Sequence, residues 1–189
     1  MINYMKDKPS FISPVNVLTE IGLKPGMTVV DYASGAGHWT MAAAQIVAPN
    51  GSVLAIEDDI NMLSMLQSKA ETRHLTNMAV EEVELEKGTS KLAKPSDLVI
   101  VSNILHLIKD KGAFTEKTSA LVGAKGKLLF IDWVSTKTMF GPPTELRVSE
   151  ELALSLFEKA GLTLSCTVDA GADHYGMILV HKENGDEKS

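Results

Sequence analysis

Cysteine is almost missing. The single Cys166 in 189 residues excludes an intrachain disulfide and any thiolate metal cluster within one chain. In "LTLSCTV" (162–168) it reads as a small buried hydrophobe on a strand rather than a nucleophile. Long apolar runs are also missing. None approaches the roughly eighteen residues that span a bilayer, and "MINYMKDKPS" lacks the apolar centre of a signal peptide. The expectation is a cytoplasmic protein. Basic clusters are absent too: 18 Lys and Arg stand against 24 Asp and Glu, a net charge of −6. Nucleic-acid binders need cations to displace counterions from phosphates, so a nucleic-acid substrate is disfavoured. No set of His and carboxylate residues has metal-ligand spacing, and the adjacent Asp58 and Asp59 diverge on an extended stretch; no metal is expected.

The chain is 44% hydrophobic and 22% charged, ordinary for a globular protein. With no repeat, low-complexity tract or linker, residues 1–182 read as one domain, 1–22 as a helical N-terminal segment and candidate lid, and 183–189 as a polar tail. Helix signals open at Ser13, with Pro14 in the first turn and Gly22 as the stop. Strands follow at "TVVDY", "SVLAIE", "MAVEEV", "SDLVIVSN", "GKLLFID", "LTLSCTV" and "YGMILVH". Helices alternate with most of them: "HWTMAAAQIV", "NMLSMLQSKAE", "KGAFTEKTSALVG" (111–123) and "SEELALSLFEKAG", the last capped by Ser149 and stopped by Gly161. Met62, Leu63, Met65, Leu66 and Ala70 form one stripe, whose methionines read as core filler; Leu152, Ala153, Leu156, Phe157 and Ala160 form another. Continuous apolar strands such as "DLVIVS" imply burial on both faces. Alternation implies parallel βαβ units, and the short "DAGADH" between the last two strands makes that pair antiparallel. The fold class is α/β: a doubly wound, mostly parallel sheet of about seven strands with the last antiparallel.

Chemistry concentrates in "VVDYASGAGHWT" (29–40). A strand ends at Asp31, and Ala33, Ser34, Gly35, Ala36 and Gly37 then bring a bare backbone to the carboxyl edge of the sheet, where such folds bind ligands. The helix from His38 points its free N–H groups into the same crevice. Twenty residues beyond Gly37 the second strand ends in Glu57, placed to accept from ribose hydroxyls. As a plain strand end, "EDD" would instead leave Asp59 or Asn61 to cap the next helix. A dinucleotide turn wants G-x-G-x-x-G, and Thr40 stands at the third glycine. Asp31 would also repel a pyrophosphate. A nucleoside with positive charge and no phosphate, S-adenosylmethionine (SAM), meets neither objection.

With "VLAIE", "DLVIVSNILHLI", "GKLLFIDW", "GPPTELRVSEE" and "FEKAGLTLSCTVDAGADHYG", this turn resembles the class I SAM-dependent methyltransferases, in their small UbiE-like branch, over about Phe11 to Lys182. The resemblance implies a Rossmann-like seven-stranded sheet and SAM as cofactor. It places Asp31, Gly35 and Gly37 at the methionine part, with Ala33 and Ser34 in the same turn, and Glu57 at the ribose, with Asp58 also among the cofactor-binding residues. Glu84, chosen over Glu82 and Glu86, would approach adenine, and Asn103 would lie beneath the sulfonium. Ala33 is the one departure, standing where the family has its first glycine.

The acceptor side offers His106, Asp132 and His174 as catalytic candidates, and Trp133, Tyr175 and Phe11, with Tyr4, as substrate contacts. Each has an ordinary reading as well: a histidine bonded to backbone, a locally capping aspartate, a packed tryptophan. The expected function is methyl transfer to a small-molecule acceptor. Arsenite is disfavoured, because several cysteines would be expected for it. A SAM-binding or partner-binding protein without turnover, and an NAD-dependent oxidoreductase, are the alternatives.

Overall fold

Strand alternation decides which side chains meet which helix layer. The computed structural model describes residues 13–182, so expectations placed on Tyr4, Phe11 and the 183–189 tail lie outside the described residues. Seven strands run β1 (Thr28–Tyr32), β2 (Ser52–Glu57), β3 (Met78–Glu82), β4 (Ser96–Ser102), β5 (Val122–Trp133), β6 (Leu162–Val168) and β7 (His174–His181). They form one sheet in the order β3-β2-β1-β4-β5-β7-β6, with β7 antiparallel to both of its neighbours. The doubly wound topology expected from sequence is therefore the one observed. The strand order reverses between β1 and β4, so the carboxyl ends of these two strands open the crevice.

Among the described residues five α-helices cover the sheet: α1 (Pro14–Glu20), α2 (His38–Val47), α3 (Ile60–Thr72), α4 (Lys111–Ser119) and α5 (Glu150–Lys159). Val29, Ile100, Leu129 and Ile131 face the layer of α1 and α2, packing with Leu18, Trp39 and Ala43. Val30, Tyr32, Val99, Val101 and Phe130 face the opposite layer, with Phe114 of α4 and Phe157 of α5. Successive side chains on one strand point to opposite faces. Asp31 accordingly belongs to the α2 side, and Asp132, next after Ile131, to the α4–α5 side.

Four details differ from the sequence reading. Helix α4 stops at Ser119 rather than continuing to Gly123, because Val122 already pairs with Ser96 as β5 begins, before a register shift brings Lys127 opposite Leu98. Val122, Gly123 and Gly126 are weak helix formers, so the sheet wins. Helix α3 buries only Leu63, Leu66 and Ala70; Met62 and Met65 are exposed, not core filler. In α5 the buried face narrows to Ala153 and Phe157, with Leu152 left exposed. Cys166 is exposed, because β6 is the outer edge of the sheet. Ser13 takes the N-cap position of α1 without a side-chain bond, whereas Ser149 caps α5 through Leu152 N as expected. Among the described residues no helix is long and apolar enough to cross a membrane.

Candidate functional site

A cavity of about 1070 Å³ opens at the strand-order reversal. The turn 33–37, Glu57, Asp58 and Asn103 all line it. The turn is built from left-handed residues: Ala33 at φ 64°, Gly35 at 52° and Gly37 at 80°. Gly37 has a second reason to be glycine, since a β-carbon there would lie 2.2 Å from Leu66 Cδ1 of α3. Ala33 holds the same kind of conformation with a β-carbon, at a cost of about 1 kcal/mol. Ala33→Gly is therefore expected to raise stability by about 0.5 kcal/mol once the extra freedom of unfolded glycine is counted. Urea unfolding reads this directly. A clear loss would mean that the methyl group packs for more than the strain it carries.

Glu57 ties the turn to β2. Its Oε2 accepts from Gly35 N at 2.7 Å, and its Oε1 accepts from Asp58 N at 3.0 Å and Asp59 N at 3.3 Å. Burial raises its pKa above the usual carboxylate value, the neighbouring Asp58 adds to the rise, and the backbone donors oppose it. Asp59 caps α3 through Asn61 N at 2.8 Å.

Asp31 is a correction. It is buried behind the turn and does not line the cavity; its Oδ2 accepts from the Thr40 hydroxyl of α2. Burial lifts its pKa to about 7 against the pull of that bond. Thr40, noticed in the sequence only as a missing glycine, is thus the partner of the strand-end acid. An acid and a hydroxyl nine residues apart across a strand–turn–helix was the available signal.

Glu84 is also corrected. It is exposed, pairs with Lys87 at 3.3 Å and does not line the cavity, whereas Glu86 does. The cavity also takes in Met62, Lys69, Arg73 and Leu107, which the sequence reading had not placed there. Lys69 Nζ donates to Ala36 O at 2.8 Å, so α3 holds the turn through this lysine as well as through Leu66.

His106, Asp132, Trp133, His174 and Tyr175 come together, but none lines the cavity. They lie at the carboxyl ends of β4 and β5 and along β7, where Asp132 pairs with Tyr175 and Trp133 with His174. Asp132 accepts from Trp133 N at 2.8 Å and from Leu105 N at 3.3 Å, so it anchors the loop after β4. Its pKa is pushed up to about 6 by burial. His106 Nδ1 faces it at 3.9 Å, too far for a hydrogen bond. Burial, then the charges of Arg147 and Lys111, hold His106 below the usual histidine value. His174 is lowered chiefly by burial. Tyr175 donates to Val148 O at 3.0 Å and its pKa is raised by burial. Arg147 closes this cluster from outside: it donates to the carbonyl oxygens of Val134, Thr136, Phe140 and Pro142 and sits 5.5 Å from the Trp133 ring centre.

A family model described as a methyltransferase domain matches residues 23–174. The chain belongs to this methyltransferase family. A SAM-dependent methyltransferase from Aquifex aeolicus has the same fold, with a TM-score of 0.80, 28% identity and 90% of each chain covered. A demethylmenaquinone methyltransferase from Bacillus cytotoxicus is 28% identical over 124 residues, 63% of this chain and 49% of that protein. An arsenite methyltransferase from Halobacterium salinarum is 29% identical over 115 residues, 60% of this chain and 29% of that protein. The chain thus spans half or less of the length of these two curated relatives.

SAM is the cofactor of this methyltransferase. The cavity suits it. Ser34 and Asn103 both line the cavity, and Ser34 Oγ and Asn103 Oδ1 are buried without a hydrogen-bond partner, polar capacity that the protein itself leaves unused beside it. Among the described residues, no group of His, Cys, Asp and Glu could hold a metal ion.

Proposed function

We propose that this chain transfers a methyl group from SAM to a small-molecule acceptor. The observation that carries the reading is the pairing of the left-handed turn with Glu57 in one cavity that also holds the unpartnered Ser34 Oγ and Asn103 Oδ1. SAM supplies a methyl carbon already activated by a sulfonium, so a strong base is optional. Glu57 holds the ribose: a carboxylate has about four acceptor positions, and its three backbone bonds leave one on Oε2. Asn103 Oδ1 receives the cationic end, with the buried carboxyl of Asp31 behind the turn. His106, between the cavity residues Ile104 and Leu107, takes the acceptor's proton on Nε2, since Nδ1 is turned to Asp132. Its lowered pKa keeps it neutral and able to do so near pH 7.

The net charge of −6 disfavours a nucleic-acid acceptor. Arsenite is disfavoured because the only cysteine lies exposed on the edge strand β6. A second reading, cofactor binding without turnover, draws support from one observation: His106, Asp132 and His174 stand beside the cavity, not in its wall.

Titration calorimetry with SAM, S-adenosylhomocysteine and NADH, followed by an assay for S-adenosylhomocysteine release across small acceptors, separates these readings. The expected result is micromolar binding of both adenosyl ligands, none of NADH, and release with at least one acceptor. In that assay His106→Ala is expected to lose turnover by roughly a hundredfold while SAM affinity stays put. Binding with no release across a broad panel favours the second reading. NADH binding in place of the adenosyl ligands would mean an oxidoreductase.

A further inference from the structure

Three backbone carbonyls converge on one ammonium beside the cavity. Lys117 Nζ, from α4, donates to Leu85 O at 3.2 Å, Glu86 O at 2.9 Å and Gly88 O at 2.8 Å. An ammonium has three hydrogens, and all three are used. The turn that supplies the carbonyls follows β3 and closes on itself through Gly88 N to Glu84 O at 2.6 Å. Its middle is tied to the segment that leads into α4, since Glu86 Oε1 accepts from Lys109 N at 2.8 Å. Its near end is tied to β2, since Val83 N donates to Glu57 O at 2.9 Å. Two of the three carbonyl residues, Leu85 and Glu86, line the cavity.

We propose that Lys117 is a positioning residue for the cofactor, fixing the turn 83–88 that walls the nucleobase end of the cavity. The proposal rests on the reading of Glu57 as the ribose contact. With the ribose there and the cationic end at the turn 33–37, the base extends toward Leu85, Glu86 and Ile108. Leu85 is itself 4% exposed, so it cannot shift without disturbing the hydrophobic core below it. Lys117 never touches the ligand. It acts by holding three carbonyl dipoles that would otherwise repel one another, and so by fixing where the cavity wall stands. Burial lowers its pKa while Glu84 and Glu86 oppose that change, in keeping with an ammonium held between carbonyls and acids.

The test compares wild type with Lys117→Met, binding S-adenosylhomocysteine and 5′-methylthioadenosine by calorimetry well below the melting temperature. Methylthioadenosine keeps the nucleoside and lacks the amino-acid end. The expected result is a rise in Kd of about tenfold for both ligands, by the same factor, with the circular dichroism spectrum of the folded protein retained. Wild-type affinity for both ligands, whatever happens to the melting temperature, would show that Lys117 serves only the fold. A loss confined to S-adenosylhomocysteine would put the effect at the amino-acid end and overturn the proposal as well. Should Lys117→Met not fold, Lys117→Gln is read by the same criteria. A wild-type protein that binds neither ligand would bring down the ribose reading, and this proposal with it, a result plainly different from failure of the variant alone.

Discussion

Asp31→Asn is expected to stabilise the ligand-free protein by about 3 kcal/mol near pH 8, and by little near pH 4. The carboxyl of Asp31 has a pKa of about 7 in the folded chain, against an unfolded value of 3.8, because burial disfavours its charge. The folded state therefore holds a proton that the unfolded state has released. Stability from this group is complete below about pH 4 and is lost as pH rises through about 7. Asp132, raised to about 6 by burial, adds a change of the same sign that ends near pH 6. Asp31 and Asp132 thus each weaken the protein as pH rises through this range, opposite to ordinary acid denaturation. His106 and His174, held low by burial, act in the other direction, so the Asp31 contribution is read as the difference between wild type and variant. Asparagine keeps an acceptor for the Thr40 hydroxyl and removes the charge, so the variant's profile should flatten. Urea unfolding of both proteins across that range decides it. A stability gap between the two proteins that does not widen with pH across that range would show that Asp31 is ionised and better compensated than its burial implies. A cation at the turn works the other way, favouring ionised Asp31, so SAM affinity should increase with pH up to about 7.

Glu57→Ala has the second large effect, on binding. It removes a charge-assisted bond to the ribose and leaves Gly35 N, Asp58 N and Asp59 N without their acceptor. Together these losses are expected to weaken SAM by about 3 kcal/mol, roughly a hundredfold in Kd. Glu57→Gln retains an oxygen for the backbone donors and loses the charge, so it should fall between wild type and alanine. Calorimetry on the three proteins measures this series. Unchanged affinity in the alanine variant would remove Glu57 from the site.

Much of this was legible because strand and turn signals are local. "TVVDY" and "SVLAIE" are found with the ends expected of them, and the turn and Glu57 meet at the cavity. What escaped depended on faces and partners. Asp31 was legible as a strand-end acid, yet the parity that turns it toward α2 and Thr40 follows from which face each helix covers. The same parity sends Asp132 to the other layer, which is why the acceptor-side candidates cluster apart from the cavity wall. Helical period suggested a five-residue stripe on α3, but the helix meets the sheet over a narrower strip and leaves its methionines out. Glu84 and Glu86 could not be separated by spacing, since the turn that selects Glu86 is drawn shut by Lys117, a residue far along the chain.

Arg147 has a consequence for how this protein can change over generations. Its guanidinium fastens the segment after β5 through the carbonyl oxygens of Val134, Thr136, Phe140 and Pro142, and every amino acid carries a carbonyl. Much of the work of holding that segment therefore falls on main-chain oxygens, with the Thr138 hydroxyl, which donates to Phe140 O, adding to it. Gly141 is an exception, because a β-carbon there would come within 2.6 Å of the Trp133 ring. Elsewhere, as at the exposed Met139, residues can be exchanged while the backbone path beside the acceptor cluster is kept. Selection, or a library of variants, can therefore rewrite that surface one side chain at a time without first having to invent a new loop.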